Sequence, residues 1–366
     1  MTDKKREQAE ERMREAIRLA ADGTRRVSPN PRTGALILRN GKIIGRGRHE
    51  CCGQAHAEVN AIRHAGGDVA GCDMVVTLEP CCHTGKTPPC TDAIIRAGIR
   101  NVYVGMTDPN PLVSGKGIAI LRDAGVRVVE NILPEACAAL NQPFIKMMTV
   151  GFPYVIAKMG MTLDGYIADG RKQSKWITSD LSRKKVHEMR AAADAVLVGI
   201  GTVLADDPLL TVRDAEGEDP VRVVFDPEGI LSENTRLVRS AGDIPLTVIA
   251  GPAATTEWRT RMENMKVRVI ATSGIGADGL KDGLKQLGEQ GIHAVLAEGG
   301  GRLHSMLAER DLIDRLELFI APELLGGGVR MMPVPPRKVS EALRLVSSAW
   351  EPSGPDMHVS GVLRNY

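Results

Sequence analysis

Four side chains in the first quarter of the chain have the types and spacing for metal-assisted hydrolysis. His56-Ala57-Glu58 opens a run of helical periodicity through Val59 and Ile62. Further on, a β-branched run ends in Thr77-Leu78-Glu79-Pro80-Cys81, and Cys90 precedes the next helical segment. One imidazole and two thiolates fill three corners of a tetrahedral zinc site and leave the fourth for water, as in a catalytic rather than a structural centre. Zinc lowers the pKa of such a water to about 7, so hydroxide is available at neutral pH. Glu58, on the same helical turn as His56, is placed to take that proton and deliver it to a leaving group. A cysteine at a helix mouth, such as Cys90, is helped toward thiolate by the backbone dipole.

His-x-Glu followed by Pro-Cys and a second cysteine is the pattern of zinc deaminases that act on nucleobases. There is one departure, because Cys90 lies nine residues after Cys81 where that pattern has two intervening residues. The stretch Cys82-His83-Thr84-Gly85-Lys86-Thr87-Pro88-Pro89 therefore forms a Gly/Pro loop that bulges out and returns. Adjacent residues at a strand end point in opposite directions, so Cys82 is not expected to share an ion with Cys81. His83 reads as a substrate contact or a loop hydrogen-bonder. Cys51, Cys52, Cys72 and Cys137 lack ligand spacing and read as buried thiols, and His49 and His64 as structural or solvent-facing.

The elements that must position these groups alternate between helix and strand. Met1 to Arg14, charged with both signs, starts an amphipathic helix that continues through Met13 to Ala21. Thr33–Leu38 and Lys42–Gly47 predict a hairpin turned at Asn40-Gly41. A helix over 55–65, a strand over 74–78, a helix over 91–97 capped by Gly98 and a strand over 101–104 follow. A second unit begins after Gln142-Pro143-Phe144, with β-branched runs at 154–158, 195–198, 221–225, 246–250, 267–270 and 293–297. The 366 residues exceed what one core usually holds, about 250–300, and the expected domains are 1–146 and 147–366, both α/β.

Charge and composition narrow the partners. Forty-seven basic residues against 45 acidic ones give a net charge of +2. That leaves no basic stripe to follow a phosphate backbone, so no nucleic-acid partner is expected. No apolar run is long enough to span a bilayer and no signal-peptide pattern opens the chain, so the expectation is a cytoplasmic protein without membrane contact. In that compartment seven cysteines are thiols or ligands rather than a disulfide framework.

In the second half, Glu298-Gly299-Gly300-Gly301 follows an apolar run and leads into helix-like Arg302 to Leu307, the way a backbone approaches a phosphate. It is not G-x-G-x-x-G, which argues against the usual dinucleotide fold. Arg190 and Arg213 are candidates for bidentate phosphate recognition.

The string HAE followed by TLEPCCHTGKTPPC resembles the deaminase half of the bifunctional deaminase/reductase family of riboflavin biosynthesis. Pro29-Asn30-Pro31, Thr33-Gly34, Asp108-Pro109-Asn110-Pro111 and Ser114-Gly115-Lys116-Gly117 extend the likeness. The second half resembles the family's reductase in Lys158 to Gly165, Ser174 to Thr178, Asp194 to Arg213 and Glu298 through Gly326. The resemblance implies an N-terminal cytidine-deaminase-like α/β/α sandwich with a mixed sheet and a C-terminal dihydrofolate-reductase-like α/β domain. It implies Zn2+ on His56, Cys81 and Cys90, Glu58 as proton shuttle, and Asn30 with the 108–117 loop on the substrate. NADPH would touch Gly160, Trp176, Thr202, Asp206 and the loop of Gly300, Gly301, Arg302, Leu303, His304, Ser305 and Met306. The substrate would touch Lys158, Ser174, Arg190, Leu210, Arg213 and Glu298, although Trp176 reads equally well as core.

The implied substrate is a small phosphoribosyl-aminopyrimidine, deaminated and then reduced at its ribosyl group, in a homo-oligomer (dimer or tetramer) joined through the reductase domain. The rival reading is a nucleoside or tRNA deaminase with an unrelated or non-catalytic ligand-binding C-terminal domain. The long Cys81–Cys90 loop and the near-zero charge count against it. No functional residue is placed between about 227 and 292.

Overall fold

The computed structural model describes residues 3–335 and 337–366. The chain divides into two units, Met1–Val150 with Tyr366, and Gly151–Asn365. The expected boundary after residue 146 falls inside a helix, Gln142–Val150, so the first unit ends four residues later. Pro143 did not end that helix because it stands at its second position, where no intrahelical N–H is required.

The first unit runs α1 (Asp3–Ala21), β1 (Gly34–Arg39), β2 (Lys42–Arg48), α2 (Ala57–His64), β3 (Asp73–Leu78), α3 (Cys90–Arg96), β4 (Asn101–Met106), α4 (Lys116–Asp123), β5 (Arg127–Val129), α5 (Pro134–Leu140) and α6 (Gln142–Val150). Met1 and Thr2, where the first helix was expected to start, lie outside the described residues. The sheet order is β2-β1-β3-β4-β5, antiparallel at β2/β1 and β1/β3 and parallel beyond, a mixed sheet. Asn40 and Gly41 both have positive φ, 51° and 75°, as the expected hairpin turn requires.

Strand alternation sorts the core into two layers. Ala35, Ile37, Met74 and Val76 pack with Ala57 and Ala61 of α2, Ile94 of α3 and Leu121 of α4. Leu36, Leu38 and Val75 pack with Met13 and Ala16 of α1 and Cys137 of α5. The helix that carries the candidate catalytic residues presses hard on the sheet: a Cβ at Gly47 would lie 2.2 Å from both Ala57 O and Ala61 N, backbone atoms that cannot swing aside. Gly47→Ala is therefore expected to destabilise the first unit by about 3 kcal/mol. Chemical denaturation is the check, and an unchanged midpoint would refute the close contact.

The second unit opens with β6 (Tyr154–Thr162), β7 (Tyr166–Ala168), α7 (Asp180–Ala192), β8 (Ala195–Gly199), α8 (Ile200–Asp206), β9 (Val221–Asp226) and α9 (Arg236–Arg239). It continues with β10 (Leu246–Ala250), α10 (Thr256–Asn264), β11 (Arg268–Ala271), α11 (Gly276–Glu289), β12 (Ala294–Ala297), α12 (Gly301–Glu309), β13 (Arg315–Ala321), β14 (Val329–Arg330), β15 (Ser347–Ser353) and β16 (Asp356–Val362). The main sheet has the order β11-β10-β9-β8-β12-β6-β13-β16-β15, parallel as far as β13 and antiparallel at β16 and β15. Leu197, Val223 and Val295 face α11 and α12, while Val196, Val224 and Val248 face Leu237 of α9 and Trp258 of α10. Buried carboxylates set strand starts: Asp194 accepts from the N–H groups of His293 and Ala294, and Asp314 from that of Val155. This layout brings the C-terminal ends of β6, β8 and β12 together, where ligands of parallel sheets commonly sit.

Candidate active sites

In the first unit, local structure delivers the expected triad. His56 is the N-cap residue of α2, Cys90 is the first residue of α3, and Cys81 lies just past β3. His56 Nδ1 is 3.5 Å from Cys81 Sγ and 3.3 Å from Cys90 Sγ, and the three donor atoms all lie within 4.8 Å of one another. Zinc bonds of about 2.0–2.3 Å at tetrahedral angles put neighbouring donors roughly 3.5 Å apart, so the set fits zinc. The hydrogen bond from the Cys90 thiol holds the Cys81 thiol well below the usual range, with His56 adding to it. Glu58 is buried beside them, and burial, then the charge of Cys81, push its carboxyl up to about 7.

The triad opens on a cavity of about 240 Å³ walled by Asn30, His49, His83, Lys86 and the 108–113 segment. Cys82 turns its sulfur toward Leu112 O (3.9 Å) and is not among the three grouped donors; both cysteines lie past the end of β3, so strand alternation is not what separates them. Burial, opposed by the Asn110 N–H, raises the Asp108 carboxyl to about 6.

Five residues at or beside this site were missed or misread from sequence. Glu79, 3% exposed, accepts from the N–H groups of Asp108 (3.1 Å), Gly115 (2.9 Å) and Ile118 (3.2 Å), tying the cavity loop to the strand that leads to Cys81. Lys86 sits on the cavity wall with its Nζ 3.5 Å from Cys52 Sγ. Cys51 and Cys52 are half-buried and Cys52 lines the cavity, which corrects their reading as buried thiols; the chain leaves β2 at Arg48 and turns outward through Gly53 (φ 85°). His49 is buried but also lines the cavity. Burial, opposed by its bond to Ala55 O, lowers its pKa.

The second unit gathers Lys158, Arg190 and Glu298. Lys158 Nζ lies 3.1 Å from Glu298 Oε2, while Arg190 donates from Nε and Nη2 to the same carboxylate at 2.6 and 2.9 Å. Burial alone would raise the Glu298 pKa, but Lys158 and Arg190 outweigh it and hold the group at about 2. Two cations around one anion leave a net positive site. Arg190 also donates to Thr211 O (3.0 Å), which leaves two of its five N–H donors free for an anion.

Gly199 and Gly300, the N-caps of α8 and α12, carry no side-chain cap bond, and no atom outside their neighbours crowds a Cβ built on Gly300. Their strands pair in the sheet, so two sets of helix-start amides lie close together, a cradle that fits a dinucleotide's pyrophosphate. At Gly160 an added Cβ would meet Thr178 Cγ2 at 3.1 Å, so the 174–178 segment lies over β6, and Lys175 reaches Asp206 at 3.5 Å. Trp176 is 66% exposed under the Arg183 guanidinium, 4.3 Å from its ring, so it is not core and offers a stacking face.

Several expected contacts must be corrected. Leu210 and Leu303 are buried in core clusters, His304 bonds Ala297 O from a fully buried ring, Ser305 bonds Gly301 O, and Met306 packs on the core. Most side chains of α12 turn inward because the helix must cover the sheet, which leaves Arg302 exposed, while Gly301 is buried against the 330–333 segment. Arg213 is exposed, and its backbone N–H lies 3.3 Å from His187 Nδ1. Thr202 and Ser174 are half-buried.

Residues 6–106 match the cytidine and deoxycytidylate deaminase zinc-binding region, and residues 153–359 match the RibD C-terminal domain. Riboflavin biosynthesis protein RibD of Actinobacillus pleuropneumoniae is 40% identical over 94% of this chain and 93% of its own length, and that of Escherichia coli 37% over 95% and 98%. Among solved structures, Acinetobacter baumannii RibD superposes with a TM-score of 0.88 at 35% identity over 98% of this chain and 99% of its own. A Thermotoga maritima diaminohydroxyphosphoribosylaminopyrimidine deaminase/5-amino-6-(5-phosphoribosylamino)uracil reductase gives 0.86 at 38% identity, over the same shares. Fold and site therefore define a zinc-binding deaminase of the cytidine-deaminase type joined in one chain to a reductase domain. The chain belongs to the RibD family, the bifunctional deaminase/reductases of riboflavin biosynthesis. The rival with an unrelated C-terminal domain is thereby set aside.

Proposed function

We propose that the two units carry out consecutive steps on 2,5-diamino-6-(5-phosphoribosylamino)pyrimidin-4-one, with His56, Cys81 and Cys90 as the zinc ligands. Water replaces the 2-amino group, ammonia leaves, and the product 5-amino-6-(5-phosphoribosylamino)uracil is reduced at C1′ to the ribityl compound. The observation that carries the reading is Glu58, buried against a His/Cys/Cys donor set on a cavity whose wall carries a lysine. Zinc held there would supply the Lewis acidity that makes water nucleophilic near neutral pH. Glu58 takes the water proton and hands it to the departing amine. Asn30 and the 108–117 loop hold the ring, and Lys86 is the cation available to the phosphate.

In the second unit Glu298 orients Lys158 and Arg190, and the free donors of Arg190 join Arg213 in taking the phosphate. Ser174 and the backbone at Leu210 complete the substrate side. NADPH, which supplies the hydride, would lie against Gly160 and Trp176, beside Thr202 and Asp206, with its pyrophosphate at Gly300 and Gly301. We also take the chain to be cytoplasmic, with its seven cysteines free, and to form homo-oligomers through the reductase unit, whose edge strand β15 is exposed with Trp350 on it. Its near-balanced charge supports a small-molecule rather than a nucleic-acid substrate. No described helix is long and apolar enough to cross a membrane.

The test follows NADPH oxidation with the diaminopyrimidine as the sole substrate. Oxidation that tracks ammonia release supports the sequence of steps, and silence from folded, zinc-loaded protein refutes it. On the ligand assignment, Cys90→Ala is expected to lose zinc while Cys82→Ala keeps it. Metal analysis after gel filtration decides, and equal zinc in both would remove Cys90 from the set.

A further inference from the structure

His49, at the end of β2, takes no part in the chemistry above, yet it is 2% exposed and lines the deaminase cavity. Its Nδ1 lies 3.2 Å from Ala55 O. A carbonyl has no hydrogen to give, so Nδ1 must carry the proton. Nε2 lies 3.1 Å from the side-chain nitrogen of Asn30. The atom placed against Nε2 is the amide nitrogen, a donor, so Nε2 is the acceptor and the ring is the Nδ1–H tautomer.

That pairing decides which end of the Asn30 amide turns inward. The NH2 group must face Nε2, since the reverse rotamer would set two lone pairs against each other. The amide oxygen is then the group Asn30 presents to the cavity. The backbone on each side is fixed independently. Asn30 N–H donates to Val27 O at 2.9 Å, and Ala55 O also accepts from Asn60 Nδ2 at 3.2 Å. Asn60 belongs to α2, the helix of Glu58, and its Nδ2 reaches Arg48 O at 2.9 Å as well. A hydrogen-bonded relay, Asn60 to Ala55 to His49 to Asn30, thus connects the catalytic helix to the opposite wall.

We infer that His49 is a positioning residue of the deaminase site: its Nδ1–H tautomer fixes Asn30 with the amide oxygen toward the cavity, so that Asn30 accepts a hydrogen bond from an N–H of the aminopyrimidine. The inference rests on the deaminase reading of the cavity. A site built around an acceptor admits a ring edge that offers N–H and disfavours one that offers a carbonyl or a bare nitrogen, because the mismatched pair would leave buried lone pairs facing each other.

The tautomer is read first, on zinc-loaded wild type carrying 15N-histidine, by long-range proton–nitrogen correlation. His49→Gln identifies the signal by its disappearance. A protonated Nδ1 with a bare Nε2 at neutral pH is expected, and a protonated Nε2 overturns the inference. Ammonia release from the diaminopyrimidine is then measured for Asn30→Ala, His49→Ala and the double variant. Each single change is expected to lower kcat/KM about 10- to 100-fold, with the double no more than about 3-fold below the worse single. Independent, multiplying losses overturn it. His49→Gln, whose amide oxygen can stand in for Nε2, is expected to recover most of the activity. Zinc content after gel filtration reports whether the first unit of each variant is folded. Should wild type release no ammonia, the deaminase reading fails, and the nitrogen spectrum still decides the tautomer.

Discussion

Glu58→Gln is expected to lower ammonia release by about 10²- to 10⁴-fold, the usual worth of a positioned general acid–base, while reduction of pre-deaminated substrate continues at the wild-type rate. The amide keeps the shape of the side chain but can neither take nor return a proton. Its burial against Cys90 should not harm the fold, because a neutral amide costs less to desolvate than a carboxylate. The coupled assay shows the split directly. NADPH oxidation from the diaminopyrimidine stops, and adding the deaminated compound restores it. Full ammonia release by Glu58→Gln would remove Glu58 from the mechanism.

The second large effect lies at Glu298. Glu298→Ala strands Lys158 and Arg190, 17% and 12% exposed, without the carboxylate that balances them. Breaking a buried pair by removing one partner destabilises by about 3–5 kcal/mol, so the second unit should unfold earlier and reduction should be lost. The pH dependence has a definite sign. The carboxyl ionises at about 2 in the folded chain against an ordinary 4.5. Its contribution, about 3 kcal/mol, is therefore fully present above pH 4.5 and disappears as the pH falls toward 2. Denaturation of wild type across that window should show the loss, and the Ala variant, which has no such group, should show less of it. Parallel curves would mean that the cluster does not hold the second unit together.

How much of this was legible in the chain depended on whether a residue's role is set by its own neighbourhood in sequence. His56, Glu58, Cys81 and Cys90 carry their chemistry in their types and stand at element ends that apolar periodicity marks, so they were readable. Glu79 reads as an ordinary charge, because its three amide partners come from a loop and the start of α4, some 30–40 positions on. His49 matters only because Asn30 and Ala55 close on it in space. In the second unit the parallel strands other than β13 were visible as β-branched runs. Strands β13 and β16 were not, since Glu317 and His358 interrupt their apolar pattern and are accommodated by bonding each other at 2.7 Å. The α12 contacts were misassigned because sequence gives the loop but not which side of its helix turns toward the sheet.

The long segment between Cys81 and Cys90 has a design consequence. Cys81 is held from the strand side, with Glu79 bracing the same stretch, and Cys90 is held by the helix it begins. The base is closed by two bonds, from Cys90 N–H to Cys81 Sγ and from Thr91 N–H to Cys81 O. The eight residues between hang from this hem but reach back to the centre: Thr87 Oγ1 lies 3.5 Å from His56 Nε2, and His83 and Lys86 wall the cavity. A loop of another length grafted onto this hem would change the cavity wall, and it would have to supply a partner for His56 Nε2 in place of Thr87 to keep the same centre.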